Sequence, residues 1–107
     1  MPISESPNLG GISLTIAIKV QYLAVLRGLT DSPERLVQLR GTTLNDLVAE
    51  LGHSEGAPLK QRLFMDGGIR PDVIIFINEV ESSLVGGVEA KLKDGDEVIF
   101  LPSVHGG

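Results

Sequence analysis

The sequence predicts an α+β fold in which a mixed β-sheet packs on one main helix. Residues 12–22 alternate strictly between apolar and polar side chains, which is typical of a strand with one buried face. Residues 43–52 place apolar side chains at helical spacing behind a capping residue. Residues 73–77 form an uninterrupted apolar run rich in β-branched side chains, which indicates a further strand. This pattern of strands and one main helix, in a chain of 107 residues, favours the β-grasp arrangement.

The first two predicted strands form a hairpin. The alternation begins at residue 12, and the apolar residues 23–26 indicate that the strand extends or bends there. Residues 27–33 contain Gly, Asp, Ser and Pro and predict the turn. Residues 34–40 carry apolar side chains near their middle and predict the second strand.

The main helix has a clear start. Thr43 can cap it, and Asp46 lies three residues on, as in a capping box with Asp in place of Glu. Gly52 is expected to end the helix, residues 53–58 to form a loop, and residues 59–65 to form a short helical segment. The side chains expected to face the core are Leu44, Leu47, Val48 and Leu51.

The second half of the chain is expected to return to the sheet. Residues 66–68 predict a turn, after which the apolar run at 73–77 fits a central strand buried on both faces. Residues 78–87 are irregular and contain a turn at Gly86-Gly87, and residues 88–92 predict a single short turn of helix.

The chain is expected to finish with a strand and a tail. Asp94-Gly95 predicts a turn into a last strand over residues 97–101. Pro102 is expected to end the strand pairing, so that residues 103–107 run free. The domain layout is therefore a flexible arm at residues 1–11, a β-grasp domain at 12–102 and a reactive tail at 103–107.

Composition excludes several functional classes. The net charge of −5 disfavours direct contact with nucleic acid, because like charges repel. The absence of cysteine excludes disulfides, Cys-ligated metals and a Cys nucleophile. No apolar run resembles a signal peptide or a membrane span, so we expect a cytoplasmic protein with no membrane partner.

The tail carries the candidate chemistry. Gly106 and Gly107 have no side chains, so they can thread a narrow channel in an extended conformation. The α-carboxyl group has a pKa of about 3.3–3.7, so it is ionised at neutral pH and can attack the α-phosphorus of ATP held by an enzyme. Glycine-rich ends also occur in chains where they have no function.

Several segments together resemble one family. Residues 94–107 are similar to the C-terminal signature of the β-grasp sulfur carriers, which include the small subunit of molybdopterin synthase. The His-Gly-Gly ending and residues 69–78 resemble the ubiquitin-related modifiers and small archaeal modifier proteins. Residues 20–30 and 42–47 are similar to both groups. The resemblance covers about residues 12–107 and implies the β-grasp, ubiquitin-like fold.

The resemblance implies that the protein is a substrate of other proteins and is not itself an enzyme. An adenylating enzyme of the ubiquitin-activating type would use ATP to charge Gly107 with AMP, and the chain itself would bind no cofactor. A sulfur donor would then form a thiocarboxylate for a sulfur acceptor enzyme, in tRNA thiolation or molybdopterin synthesis. Alternatively, Gly107 would be joined to lysines of target proteins and released by a deconjugating protease. The protein is expected to be a monomer.

Further residues are assigned by the same resemblance. Leu101 lies where these carriers show an exposed apolar residue, so it is a candidate docking residue for the activating enzyme. By alternation alone it could equally belong to the core. Pro102, Val104 and His105 are also expected to contact partners, and no residue is expected to act as a catalyst or metal ligand. Ser103 stands where the molybdopterin group typically has a second proline, which favours the modifier branch.

Two alternatives remain open from the sequence. The chain could be the small subunit of molybdopterin synthase, whose tail inserts into a larger catalytic subunit. It could also be a non-covalent β-grasp interaction module with an inert tail. His53 and Glu55 are expected to be ordinary surface residues, because a metal site needs more ligands at regular spacing. Asp94, Asp96 and Glu97 are attributed to a turn and not to paired-carboxylate catalysis.

Overall fold

A computed structural model describes residues 15–103. Within these residues, five strands form one sheet in the order β2-β1-β7-β5-β6, and a separate hairpin pairs β3 with β4. The strands are β1 (Ile16–Tyr22), β2 (Glu34–Leu39), β3 (Phe64–Met65), β4 (Gly68–Ile69), β5 (Val73–Ile77), β6 (Val80–Glu81) and β7 (Glu97–Pro102). The two α-helices are α1 (Leu44–Ser54) and α2 (Ala57–Leu63), and three single or double turns of 3-10 helix lie at Ala24–Leu29, Ser82–Leu84 and Gly87–Glu89.

The first and the last described strands, β1 and β7, pair with each other in the middle of the sheet. β1 pairs with β2 in an antiparallel hairpin and with β7 in parallel, so that Tyr22 lies opposite Phe100. β7 in turn pairs with β5 in an antiparallel ladder from Ile77–Val98 to Val73–Pro102. A parallel central pair, flanked by antiparallel neighbours and reached through a helix, confirms the predicted mixed-sheet, α+β fold.

The predicted capping box of α1 is present. The Asp46 backbone N–H donates to Thr43 Oγ1 (3.1 Å), and the Thr43 backbone N–H donates to Asp46 Oδ2 (3.1 Å). The same carboxylate accepts the Thr42 N–H at 3.0 Å, so backbone hydrogen bonds hold the pKa of Asp46 below its usual value. A Cβ atom at Gly41 would collide with this carboxylate, which explains the glycine there.

One face of the sheet and the buried face of α1 form the core. Tyr22, Val98 and Phe100 are completely buried on this core face, and their alternation with partly exposed neighbours agrees with the prediction. The four predicted core residues of α1 are all buried with them: Leu44, Leu47, Val48 and Leu51.

Three predicted helix boundaries are wrong. α1 passes through Gly52 and continues to Ser54, and the Glu55 backbone N–H closes it on the Leu51 carbonyl (3.0 Å). α2 starts at Ala57, earlier than expected, because Pro58 fits the first turn of a helix, where no N–H is needed. It also stops at Leu63, since Phe64 and Met65 pair with β4 across the predicted 66–68 turn.

The segment after β1 bends and does not extend the strand, which is one of the two outcomes predicted for residues 23–26. Ala24–Leu29 forms a 3-10 helix, so the connection starts earlier than the predicted turn at 27–33. Ala24 has a positive φ of 54°, which reverses the chain, and Leu26 is completely buried against the core. The burial of one apolar side chain therefore explains the helical turn where sequence suggested only a loop.

The prediction that residues 73–77 form a central strand buried on both faces is wrong. β5 lies fourth in the sheet order, beside the two-residue edge strand β6. Val73, Ile75 and Ile77 are buried on the core face, whereas Ile74 and Phe76 are only partly covered by the described chain. An apolar run does not reveal whether a second layer exists to cover it, and here the second face stays partly open.

The prediction that Pro102 ends the pairing is also wrong. Pro102 is buried and lies opposite Val73 within β7. The next residue, Ser103, donates its N–H to the Asp72 carbonyl at 2.7 Å. Hydrogen-bonded and non-bonded pairs alternate in an antiparallel ladder, so the Pro102 position needs no N–H toward β5.

Candidate functional site

The base of the tail is fixed to the domain at Ser103. Its backbone N–H and its hydroxyl both donate to the Asp72 carbonyl, at 2.7 and 3.0 Å. Ser103 was expected to run free, so this expectation is wrong for that residue. Val104, His105, Gly106 and Gly107 lie outside the described residues, as does the arm at 1–11, and the roles assigned to them stay predictions.

Two arginines hold the segment that receives Ser103. Arg62 Nη1 lies 3.2 Å from Asp72 Oδ2, and Arg70 Nε lies 3.4 Å from Asp72 Oδ1. Burial acts to raise the pKa of Asp72, but the charges of Arg62 and Arg70 outweigh it and lower the pKa. The ionised carboxylate therefore anchors the residue whose carbonyl receives Ser103. The sequence analysis missed this cluster because its members come from α2, a loop and the start of β5.

Leu101 lies on the face of the sheet opposite the core. Its side chain is partly exposed, as is that of Ile99, while the alternating residues Val98 and Phe100 are fully buried. Cross-strand pairing places Leu101 beside Ile74 and Ile99 beside Phe76. We call the group of Ile74, Phe76, Ile99 and Leu101 the open-face patch. Leu101 is therefore partly exposed and lies outside the buried core, and its docking role stays a prediction.

Pro102 does not share this accessibility. It alternates with Leu101 and is buried, so it belongs to the core face of β7. Its expected contact with partners stays a prediction that its placement does not support. Leu101 is thus the described candidate whose side chain is available next to the tail.

The expectation that Glu55 is an ordinary surface residue is wrong. Glu55 is only 8% exposed, and its Oε2 atom accepts the Tyr22 hydroxyl (2.6 Å) and Arg35 Nη1 (3.0 Å). Burial, and then the hydrogen bond to Glu55, raise the pKa of the Tyr22 phenol far above its usual value. The cluster joins the end of α1 to the β1–β2 hairpin, a long-range contact that local spacing does not signal. His53 is exposed, as expected.

The acidic residues before β7 serve the turn, as predicted. Asp94 Oδ1 accepts the Ala17 N–H at 2.7 Å, and Asp96 accepts the Lys93 N–H at 2.8 Å and Asn78 Nδ2 at 2.9 Å. Gly95 has a positive φ of 90°, which the tight turn requires. These carboxylates are occupied by structural hydrogen bonds.

Residues 15–103 offer neither a metal cluster nor a membrane helix. Within that range, no group of three or more His, Asp or Glu side chains could hold a metal ion. The helices of the same range are all too short or too polar to cross a membrane.

Comparison with known families gives one clear match. Residues 17–107 match the family described as Urm1 (Ubiquitin related modifier). The matched range includes the base of the tail at Ser103 and the pair Gly106-Gly107. It therefore covers both the folded domain and the tail.

Individual relatives agree with this match. The ubiquitin-related modifier 1 of Schizosaccharomyces pombe is 32% identical over 97 residues, covering 86% of this chain and 100% of that protein. A protein of Archaeoglobus fulgidus, provisionally assigned as a sulfur carrier, is 37% identical over 65 residues, which cover 61% of this chain and 74% of its own.

Solved structures share the fold. The solution structure of Urm1 from Trypanosoma brucei superposes with a TM-score of 0.67 at 30% identity, covering 90% of this chain and 100% of that one. The CysO chain matched in the Amycolatopsis orientalis BexX/CysO complex superposes with a TM-score of 0.64 at 27% identity, covering 85% and 100%. These neighbours confirm the β-grasp, ubiquitin-like fold.

Proposed function

This chain belongs to the ubiquitin related modifier family, Urm1, and is a ubiquitin-like modifier and sulfur carrier; we propose that Gly107 is the residue at which it is charged. The observation that carries the proposal is that the family match runs through Gly106 and Gly107. The chain is a substrate and carrier, not a catalyst, and other proteins supply the chemistry.

The proposed charging step uses the Gly107 carboxylate as a nucleophile. An adenylating enzyme of the ubiquitin-activating type holds ATP, the carboxylate attacks the α-phosphorus, and pyrophosphate leaves. The product is a mixed anhydride between Gly107 and AMP. ATP is consumed by the activating enzyme, so the chain needs no cofactor of its own. The two glycines allow the tail to enter a narrow site without steric conflict.

The activated carbonyl then has two fates. A sulfur nucleophile from a donor can displace AMP and leave a thiocarboxylate, which carries sulfur to an acceptor enzyme in tRNA thiolation or molybdopterin synthesis. An amine of a target lysine can instead attack the activated carbonyl and form an isopeptide bond, which a deconjugating protease would reverse. Both fates use the same tail.

The domain supports this chemistry by presenting the tail and a docking surface. Two hydrogen bonds from Ser103 to the Asp72 carbonyl fix the point where the tail leaves the sheet. The adjacent open-face patch offers apolar surface, with Leu101 two residues before Ser103. Holding the tail base lowers the conformational entropy lost when the tail enters an enzyme.

The test is an intact mass measurement after incubation with a candidate activating enzyme, ATP and a sulfur donor. We expect a mass increase equal to the exchange of one oxygen for one sulfur. Deleting Gly107, or adding one residue after it, should abolish the increase, because either change removes the reacting carboxylate from its position. An unchanged mass with several activating enzymes, together with intact partner binding, would contradict the proposal and favour an interaction module with an inert tail.

A further inference from the structure

Exposed apolar side chains are concentrated in one loop. Seven large hydrophobic residues are strongly exposed in residues 15–103, and four of them fall between residues 80 and 88. Leu84 is the most exposed of all, at 76%. The four are Val80, Leu84, Val85 and Val88. Single exposed apolar residues are ordinary, but a local concentration of this kind marks an interaction surface.

The loop is held in place at both ends. Val80 lies in β6, opposite Ile77 of β5. At the other end, the Leu44 N–H at the start of α1 donates to the Ala90 carbonyl at 2.9 Å, and Ala90 is buried. Between these anchors, the 3-10 turns Ser82–Leu84 and Gly87–Glu89 contact each other. The fold therefore presents the apolar side chains from an anchored surface.

Two glycines make this arrangement possible. Gly86 and Gly87 have φ values of 114° and 63°, in the left-handed region that other residues avoid. The reversal brings the second 3-10 turn, which carries Val88, back onto the first, which carries Leu84.

The same loop is uniformly acidic. Glu79, Glu81 and Glu89 are exposed, and residues 78–90 contain no Lys or Arg. Within the described chain, none of these three carboxylates forms a hydrogen bond or ion pair through its side chain. By contrast, Glu55 and Asp72 are both paired with arginines. The negative charge of the loop is thus left available to a partner.

We propose that residues 79–89 form a docking surface for a protein segment that carries apolar side chains flanked by Lys or Arg. Apolar contacts would supply binding energy, and the complementary charge would favour this partner over others. Anionic lipids and nucleic acids would be repelled by the three glutamates. A two-fold symmetric dimer through this surface is disfavoured too, because it would bring six glutamates together.

The proposed surface is separate from the base of the tail at Pro102 and Ser103. Val80 pairs with Ile77, at the opposite end of β5 from Val73, which pairs with Pro102. The four residue-to-residue steps of extended strand from Val73 to Ile77 span about 13 Å. A protein bound to residues 79–89 could therefore hold the carrier while another protein engages the tail. The inference does not depend on the charging of Gly107.

The test is an NMR titration of the isotope-labelled full chain with a synthetic amphipathic helical peptide that has leucines on one face and lysines on the other. A matched peptide has glutamates in place of the lysines. We expect shift changes centred on residues 79–89 with the lysine peptide, weakening as salt is raised, and none with the glutamate peptide.

Paired variants locate the binding site. Leu84→Asp should weaken binding of the lysine peptide by about tenfold or more, as for an apolar residue at the centre of an interface. Leu36→Asp is the matched control, since Leu36 is 64% exposed on β2, and its effect should stay within about twofold. Reversing charge with Glu81→Lys and Glu89→Lys should reduce binding of the lysine peptide and create binding of the glutamate peptide.

Three results would overturn the proposal. Equal binding of the two peptides would show that charge does not select the partner. Shifts centred on the open-face patch, or equal losses in Leu84→Asp and Leu36→Asp, would place the site elsewhere. Concentration-dependent shifts at residues 79–89 without peptide would identify a second copy of the chain as the occupant. Mass measurement of charging at Gly107 in Leu84→Asp, which we expect to equal that of the unmodified chain, reports the proposed function separately.

Discussion

The two faces of β7 carry similar residues with different roles. Phe100 is fully buried on the core face, with its ring 5.5 Å from the ring of Tyr22. Leu101, the next residue, lies partly exposed on the other face beside Ile74. Alternation along a strand therefore assigns one apolar residue to stability and leaves its neighbour available for recognition. Hydrophobicity alone does not distinguish them, because the difference lies in what covers each face.

The largest expected effect is on the core face. Phe100→Ala should lower the free energy of unfolding by about 3–5 kcal/mol, because it removes a fully buried aromatic ring and leaves a cavity. Urea denaturation followed by circular dichroism measures the change, with Leu101→Ala as the matched control. A loss in Phe100→Ala no larger than in the control would break the distinction between the two faces.

A smaller loss of stability is expected when the buried cluster of Tyr22, Arg35 and Glu55 is disrupted. Tyr22→Phe removes the hydroxyl that donates to the buried Glu55 carboxylate, which keeps only Arg35. The free energy of unfolding should fall by about 1–3 kcal/mol, because a buried charged acceptor loses one partner. Chemical denaturation at neutral pH checks this, with Glu50→Gln, at a partly exposed position of α1, as a control that should leave stability nearly unchanged. A neutral result in Tyr22→Phe would mean that water replaces the hydroxyl.

The stability of the folded protein at acid pH should depend on the capping box of α1, the helix that packs on the core face of the sheet. Hydrogen bonds from Thr42 and Thr43 depress the pKa of Asp46 in the folded chain. Its stabilising contribution is therefore complete above the unfolded Asp pKa, about 3.9, and is lost as pH falls through the lower folded value. The stability difference between the unmodified chain and Asp46→Asn should shrink over that acid range, as measured by thermal unfolding at a series of pH values. A constant difference would show that the ionised form is not what caps the helix.

The smallest expected loss of stability is on the open face. Leu101→Ser should cost about 1 kcal/mol or less, because the side chain is only partly buried. We expect its effect instead on activation, with a KM for the adenylating enzyme about tenfold higher. Leu36→Ser is the control. Leu36 lies opposite the exposed Lys19, on the same face of the sheet as Leu101, but it belongs to β2, two strands away from β7 and the base of the tail. Equal kinetics for both variants would remove Leu101 from the docking surface.

Much of the fold followed from local patterns. The alternation of residues 12–22 predicted a strand with one buried face, and β1 forms at Ile16–Tyr22. Thr43 and Asp46 predicted the start of α1, since both halves of a capping box lie within one helical turn. Asp94-Gly95 predicted the turn into β7, where a positive φ requires glycine. Each signal involves residues close in the chain.

Two of the errors have one cause in common. The burial of Glu55 and the pairing of Pro102 both depend on residues far away in the sequence. Glu55 can be buried because Tyr22 and Arg35, which are 33 and 20 residues away in the chain, supply its hydrogen bonds. Pro102 fits within β7 because the ladder with β5 demands no N–H at that position.

The sequence by itself determined the strands β1, β2, β5 and β7, the start of α1, the Asp94-Gly95 turn and the Gly106-Gly107 tail that the family match includes. Only the tertiary structure decided which face of β5 and β7 stays open, because burial depends on the elements that pack against a strand. It also decided that Ser103 is held by the Asp72 carbonyl, and that residues 79–89 expose apolar and acidic side chains together. Local patterns predict the secondary structure of a segment, whereas the exposure of its side chains depends on contacts with segments that are distant in the chain.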